Sequence, residues 1–327
     1  MDWNSILSQT LTQAIGVSAV IYCLAAVGLN VHFGYTGLLN FGQAGFLAVA
    51  AYGLAVSVSK MGFSLWVGLL VGLIASVVLA LLLGVPTLRL RADYLAIVTI
   101  AAAEIIRLIV RSVTFREYFG GSDGITRFAD SFYELNPFPG PVTLGPITFS
   151  KNDIWVVTVG WVLVAISSLA IWSLMRSPWG RVLKGIREDE DAVRSLGKNV
   201  YSYKMQALIL GGVIGSLGGF VSAIAFQSVQ PDSFSTDFTF YAYTILILGG
   251  AARVFGPIVG AMIFWGLLVF VGETLNEAVR TGAITFITST QVGQIRFMLV
   301  GLGLMLLMIF RPQGIFGDRK ELALDAR

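Results

Sequence analysis

The chain has 327 residues, of which 56% are hydrophobic and 13% are charged, and its formal net charge is +3. So apolar a composition excludes an ordinary soluble globular protein. The small positive charge gives no nucleic-acid signal, because the sequence has no basic patch interleaved with aromatic residues. We therefore expect an all-α integral membrane protein, with a single transmembrane domain over 1–327 in the lipid bilayer of the cell (plasma or inner) membrane.

The sequence lacks the residues of several common catalytic sites. Cys23 is the only cysteine and His32 the only histidine, which excludes thiolate metal clusters, paired-histidine zinc sites and Cys–His nucleophiles. No Walker A motif is present, so the chain does not hydrolyse ATP itself. We expect no catalytic residue, no metal and no cofactor bound by this chain. His32 is interpreted as a residue at the end of the first span, near the membrane interface.

Apolar runs predict about nine transmembrane helices (eight to ten), at about 20 residues for each crossing. The runs lie at 14–31, 34–59, 63–85, 94–111, 154–175, 205–227, 240–252, from Gly256 onward, and at about 296–310. The run 240–252 is short enough to be re-entrant instead. With nine crossings the N-terminus lies outside and the C-terminus, including the tail 311–327, lies in the cytoplasm.

The second run is unusually rich in glycine. Gly34, Gly37, Gly42 and Gly45 each weaken a helix by about 1 kcal/mol relative to alanine, which predicts a broken or closely packed helix. Two interpretations remain open for the amides of Asn40 and Gln43 in this run. They are satisfied by neighbouring helices, or they line a watery cavity beside irregular backbone.

A second short, glycine-interrupted segment lies near Gly256. Phe41-Gly42 can be aligned with Phe255-Gly256, since each pair precedes a run of small residues. Paired segments of this kind are typical of transporters built from internal repeats, so the alignment suggests a duplicated architecture.

Two features mark the predicted outer side. Glu104 and Arg107 lie on one face of the fourth run, which predicts an intramembrane ion pair. Such a pair is either part of a functional site or an ordinary structural ion pair. The segment 112–152 is polar, rich in turn residues and aromatic side chains, and carries four of the nine prolines. It predicts an extracytoplasmic loop that packs as a cap.

The segment 176–204 carries seven basic and four acidic residues between two apolar runs. We place it in the cytoplasm, because basic residues next to span ends set orientation. Together with Arg89, Arg91, Arg253, Arg311, Arg319, Lys320 and Arg327, it puts fourteen of the twenty-two basic residues there. A short helix is predicted from Arg181 to Asp191, followed by Ala192, Val193 and Leu196 at helical spacing and a stop at Gly197. The alternative is an ordinary solvated loop.

Three stretches resemble one family: GYTGLLNFGQAGFLAVAAY (34–52), SPWGRVLKGIREDEDAVRSLGKNVYSYK (177–204) and FRPQGIFG (310–317), with GGSDGI (120–125) in support. The family is that of the permeases of branched-chain amino-acid ABC importers, and the chain is similar to its M-type (Liv-type) subunit. The resemblance implies a second related permease, two cytoplasmic ATPase subunits that use the ATP, and an extracytoplasmic substrate-binding protein as partners.

The resemblance also implies roles for particular residues. A cytoplasmic coupling loop over 176–204 would dock on the ATPase through Gly180, Arg181, Arg187, Glu188, Asp189, Ala192, Leu196 and Gly197. The substrate path would be lined by Gly37, Asn40, Gly42, Gln43, Gly45 and Gly256. Branched-chain or other neutral amino acids are the implied cargo. A urea or short-amide importer permease is the alternative, and a self-sufficient secondary carrier or a membrane enzyme is the alternative of another class.

Overall fold

A computed structural model describes residues 2–89, 92–284, 288–311 and 313–317. Four basic residues that we assign to the cytoplasm, namely Arg91, Arg319, Lys320 and Arg327, lie outside the described residues, as does most of the tail 311–327. The helices of the described ranges are α1 (Trp3–Ala14), α2 (Val17–Leu29), α3 (Gln43–Ser59), α4 (Leu65–Thr87), α5 (Ala92–Arg111), α6 (Arg116–Phe119), α7 (Asp130–Glu134), α8 (Lys151–Arg176), α9 (Pro178–Glu188), α10 (Glu190–Ser195), α11 (Val200–Phe226), α12 (Thr236–Gly249), α13 (Gly256–Arg280) and α14 (Ser289–Phe310).

Four short strands accompany the helices: β1 (Ile125–Thr126), β2 (Val142–Leu144), β3 (Ile147–Phe149) and β4 (Ser228–Val229). Strands β2 and β3 form an antiparallel hairpin, and β1 pairs antiparallel with β4. A six-residue π-helical turn, Asn30–Tyr35, continues α2. The fold is therefore an all-α membrane protein with two minor strand pairs.

Six helical segments of the described chain are long and apolar enough to cross a membrane: Trp3–Tyr35, Leu65–Thr87, Lys151–Arg176, Val200–Phe226, Gly256–Arg280 and Thr290–Phe310. The expected count of about nine is not reached by this measure. Helices α3 and α12 are short, at about 26 and 21 Å for 1.5 Å per residue, and α5 carries Glu104, Arg107 and Arg111. The first helical segment also starts at Trp3, earlier than the expected 14.

Helices α2 and α11 form the centre of the bundle. Helix α11 packs against α2, α3, α4 and α8. In its most apolar stretch 78% of the residues are buried, compared with 11% in that of α14, which lies at the periphery. The α2–α11 crossing depends on glycine: a Cβ at Gly28 would lie 2.3 Å from the carbonyl oxygen of Gly211. Such close backbone approach excludes any larger residue, which explains the glycine-rich run in α11.

The segment 112–152 packs as a cap over one end of the bundle. The Trp155 indole donates to the carbonyl of Phe132 at 3.1 Å, and the Tyr133 hydroxyl donates to the carbonyl of Ile224 at 2.9 Å. Ser8 of α1 donates to the carbonyl of Pro146 in the β2–β3 hairpin. These contacts tie the cap to α1, α8 and α11.

The described part of the C-terminal stretch has a capping role at the opposite end. The backbone amide of Ile315 donates to the carbonyl of Leu248 at 2.9 Å, and that of Phe316 donates to Gly249 at 3.1 Å. The last carbonyls of a helix have no partner inside that helix. Residues 315 and 316 therefore satisfy the end of the short helix α12.

Candidate functional site

The charged segment 176–204 folds into two short helices rather than one. Helix α9 ends at Glu188, because Asp189 takes an extended backbone conformation and its Oδ1 accepts from the amides of Asp191 (2.9 Å) and Ala192 (3.0 Å). Aspartate is among the preferred residues for starting a helix in this way. The expectation of a single helix from Arg181 to Asp191 is therefore wrong, and Asp189 is the start of α10.

The end of α10 presents a small apolar surface, which we call the tip and define as Ala192, Leu196 and Gly197. All three are exposed, and Leu196 is 79% exposed although it is a large apolar residue. Gly197 has φ +75°, in the left-handed region that favours glycine, with no other atom within 4 Å of a Cβ placed on it.

The opposite face of the two helices is anchored to the bundle. Leu183 and Ile186 of α9 are buried. Arg187 donates from Nη1 to the carbonyl oxygen of Gly34 at 2.6 Å, and its side chain lies 3.4 Å from a Cβ built on Gly37. The tip is thus joined to the segment after α2 through α10, α9 and the charged side chain of Arg187.

The remaining predicted coupling residues divide into two groups. Arg181 and Glu188 are exposed on α9. Gly180 is buried, and a Cβ there would lie 2.5 Å from the Cα of Met175. Gly180 therefore packs α9 against the end of α8 and does not belong to an exposed docking surface.

The glycine-rich second run (34–59) is a broken segment, as expected: its first two residues end the π-helical turn Asn30–Tyr35, and its last 17 residues form α3. Residues 37–42 are not helical, and they lie inside the bundle with Leu38, Asn40 and Gly42 buried. Irregular backbone at membrane depth needs hydrogen-bond partners from the protein. The amide of Phe41 donates to Thr99 Oγ1 at 3.1 Å, the amide of Ala44 donates to Thr239 Oγ1 at 3.0 Å, and the Tyr243 hydroxyl donates to the carbonyl of Asn40 at 2.9 Å.

Three fully buried polar side chains meet beside this segment: His32, Asn40 and Gln43, which we call the amide–imidazole cluster. Asn40 Oδ1 accepts from the amide of Gly42 at 2.9 Å, which directs its Nδ2 towards His32 Nδ1 and Gln43 Oε1, both at 3.1 Å. His32 Nδ1 must then accept, so Nε2 carries the proton and donates to the carbonyl of Leu208 at 3.0 Å.

The cluster shows that the interpretation of His32 is wrong, and it decides between the two interpretations of the Asn40 and Gln43 amides. His32 is 0% exposed and bonded on both ring nitrogens, so its interpretation as a span-end residue near the interface is wrong. Asn40 and Gln43 are also 0% exposed and face neighbouring groups. In this conformation their amides are satisfied by the protein, and contact with a substrate requires the cluster to open.

The glycines predicted for the substrate path lie in different places. A Cβ at Gly42 would meet the carbonyl oxygen of Thr99 at 2.3 Å, and one at Gly45 would lie 3.2 Å from the Cα of Ala103, so both pack against α5. Gly37 lies beside Arg187 at the foot of α9. Gly256 packs against Gly249 and Gly250 at the start of α13 and does not join Asn40 and Gln43.

Glu104 and Arg107 form a two-point ion pair at the cap end. Arg107 donates from Nε and Nη2 to the Glu104 carboxylate at 2.9 and 2.6 Å, and from Nη1 to Asp232 at 2.8 Å. Arg111 donates to the same Asp232 oxygen at 3.1 Å. The network joins α5 to the turn Pro231–Phe234 at the cap end, which favours a structural role.

Thr99, Thr239 and Tyr243 were missed by the sequence analysis. Their hydroxyls hold the broken segment in place, yet nothing in the local sequence distinguishes them: Thr239 and Tyr243 lie among other polar residues of α12, and Thr99 is a lone polar residue within an apolar stretch. The signal that could have found them is the broken span itself, because its backbone needs donors and acceptors from neighbouring helices.

The sequence matches one family over residues 11–309, described as the branched-chain amino acid transport system / permease component. It is 32% identical to the high-affinity branched-chain amino acid transport system permease protein LivM of Salmonella typhimurium, over 92% of this chain and 69% of that protein. It is 22% identical to the probable branched-chain amino acid transport permease protein LivM of Methanocaldococcus jannaschii, over 91% of each. It is also 27% identical to the guanosine ABC transporter permease protein NupQ of Bacillus subtilis, over 78% of this chain and 82% of that protein.

Proposed function

Because the chain belongs to the family of branched-chain amino acid transport system permease components, we propose that it is the membrane-spanning subunit of an ABC importer that carries branched-chain amino acids into the cell. The match over residues 11–309 is the observation that carries this conclusion. The chain is a multi-pass protein of the inner membrane and a transport subunit. ATP is used by partner subunits, and this chain binds no cofactor of its own.

Nine crossings are proposed, with the N-terminus outside. The six long segments would each cross once, and α3, α5 and α12 would add three crossings, two of them by shorter helices that meet loops buried in the bundle. One observation supports this alternation: Arg89 lies over the Tyr201 ring at 5.3 Å, so the α4–α5 turn and the segment 176–204 share one end of the bundle. The basic residues at that end favour the cytoplasmic side.

An internal repeat is proposed on narrower grounds. Phe41-Gly42 and Phe255-Gly256 both stand at helix starts, of α3 at Gln43 and of α13 at Gly256. Each of these helices follows a non-helical segment.

Family membership implies association with ATPase subunits and a substrate-binding protein. We propose two ATPases, a second related permease and one binding protein on the cap formed by 112–152. The tip fits the ATPase partner, since it is exposed and apolar and lies on α10, next to helix α9, which is anchored to the bundle through Leu183 and Ile186. A movement of the tip would reach Gly34 through Arg187, and from there the broken segment that carries Asn40. Rigid-body transmission of this kind is common in switching proteins.

The cargo follows from the relatives. The two named for branched-chain amino acids favour such a cargo, and the guanosine permease keeps a nucleoside as a second candidate. The urea or short-amide alternative has no observation in its favour. An amino acid has charged ends that amides such as those of Asn40 and Gln43 can bind once the cluster opens.

The docking role of the tip is tested by a matched pair of glycine variants in the reconstituted complex. Gly197→Asp places a charge at the tip, and Gly62→Asp makes the same change in the turn between α3 and α4, where φ is +68° and a Cβ again meets no atom within 4 Å. Both substitutions carry similar backbone strain. We expect Gly197→Asp to lower ATPase association and ATP-driven leucine uptake at least tenfold, while Gly62→Asp retains both. Equal behaviour of the two variants would refute the docking role.

The transmission step is tested separately by Arg187→Met. This variant removes the hydrogen bond to Gly34 but leaves the tip intact, so we expect normal ATPase binding with less leucine transported per ATP hydrolysed. Arg280→Met is the control, because Arg280 is exposed at the end of α13, outside the segment 112–152, and is bonded to Glu277. Normal coupling in Arg187→Met would show that the movement takes another route.

A further inference from the structure

A basic and aromatic cavity of about 400 Å³ lies at the end of the bundle that carries the segment 176–204. It opens between the last turn of α8 and the first residues of α13, above the end of the π-helical turn. The cations Arg176, Lys184 and Arg253 line it, together with Trp172 and Phe255. None of its described lining residues is acidic.

Two of these cations are available for an anion. The Arg176 guanidinium stacks on the Trp172 ring at 3.8 Å, and Lys184 Nζ lies 6.0 Å from the centre of the Tyr35 ring. Within the described part of the chain, neither side chain forms a salt bridge. Helix α13 also begins here, with no side chain capping its first amides. The positive end of a 25-residue helix adds to the attraction for a negative group.

The wall of the cavity is held in place by Asn30. Its Nδ2 donates to the carbonyl of Arg253, and its Oδ1 accepts from the amide of Ala252, both at 2.8 Å. Ala252 has φ +59°, a conformation that costs an L-residue energy, so the loop needs this support. The loop that carries Arg253 is therefore preformed.

The entrance of the cavity continues an exposed apolar surface on α8. Val162, Ile166 and Leu169 are exposed along one face of α8 at helical spacing, and the same face ends at Trp172 and Arg176. Phe255, on the other side of the entrance, is 65% exposed. Exposed aromatic residues at span ends lie at the level of lipid headgroups.

We propose that this cavity binds an anionic phospholipid of the phosphatidylglycerol class. Its phosphate lies between Arg176 and Lys184, and its acyl chains lie along the exposed face of α8. Basic pockets between membrane helices are suited to anionic headgroups. The site goes beyond the proposed transport role and depends on neither the cargo nor the coupling step. It requires only that the end of α8 and the start of α13 lie at the membrane surface.

The proposal is tested by lipid binding to the full-length chain, without any transport assay. The delipidated protein would be titrated with phosphatidylglycerol and with phosphatidylcholine of identical acyl chains, and lipid binding would be followed by native mass spectrometry. We expect the anionic lipid to bind at least tenfold more tightly. The double variant Arg176→Gln, Lys184→Gln is expected to lose roughly 25-fold of this affinity, at about fivefold for each basic residue near the headgroup.

Two controls keep the result interpretable. Lys60→Gln with Lys151→Gln removes the same charge from exposed positions at the cap end and should bind the lipid normally. Arg176→Lys with Lys184→Arg keeps the charge and should retain most of the affinity, which excludes misfolding as the cause of a loss.

Three results would overturn the proposal. The first is equal binding of the neutral lipid. The second is binding of soluble glycerol phosphate as tight as that of the lipid, which would assign the cavity to a free anion. The third is displacement of the lipid when the ATPase subunits are added, which would assign it to the partner interface.

Discussion

Replacing Asn40 with alanine removes the residue that joins the three members of the amide–imidazole cluster. Its side chain makes three hydrogen bonds, and without it the Gly42 amide, His32 Nδ1 and Gln43 Oε1 lose a buried partner. Hydrogen bonds between membrane helices average about 0.6 kcal/mol, which gives a lower figure of about 2 kcal/mol. A penalty of about 1 kcal/mol for each buried unpaired group gives about 3 kcal/mol. We therefore expect the free energy of unfolding to fall by 2–3 kcal/mol, on the order of these estimates.

The measurement is denaturant unfolding in mixed micelles, followed by circular dichroism. Asn136→Ala is the matched control: Asn136 also donates one bond and accepts one, both at 2.9 Å, but it is partly exposed in the cap, where water replaces them. We expect less than about 1 kcal/mol for this variant. A loss for Asn40→Ala no larger than that for Asn136→Ala would refute the bonding described for the cluster.

Two further predictions concern packing and charge. Gly211→Ala should destabilise the protein by about 3 kcal/mol, because its Cβ would lie 2.3 Å from His32 Nε2. Gly293→Ala in α14, where a Cβ meets no atom within 4 Å, should be neutral or slightly stabilising in the same unfolding assay. Equal effects of the two variants would contradict the close α2–α11 crossing. Arg107→Met should lower the free energy of unfolding by about 1 kcal/mol or less at low salt, and by less at 1 M salt. A loss of stability that does not depend on salt would show that packing, and not the ion pairs with Glu104 and Asp232, is responsible.

Some features were predictable because they depend on chain-local chemistry. The broken second run follows from four glycines in twelve residues, each of which weakens a helix wherever it lies. The stop at Gly197 follows from glycine's tolerance of positive φ.

Other features were mispredicted because local rules compete. Asp189 was read as part of one helix, but its side chain stabilises the start of a new helix more than it stabilises a helix interior. His32 was read as an interfacial residue, because its partners Asn40 and Leu208 are brought to it only by the return of the broken segment and by α11.

By itself the sequence determined the membrane class, the approximate positions of the apolar runs, the charged segment and the family resemblance, since each of these depends on composition or on residues near one another in the chain. Tertiary structure decided the rest: the burial of the amide–imidazole cluster, the hydroxyls of Thr99, Thr239 and Tyr243 that hold residues 40–44, and the hydrogen bond from Arg187 to Gly34. The physical reason is that a buried polar group must find a partner, and in a helical bundle most such partners lie on other helices, distant in the sequence.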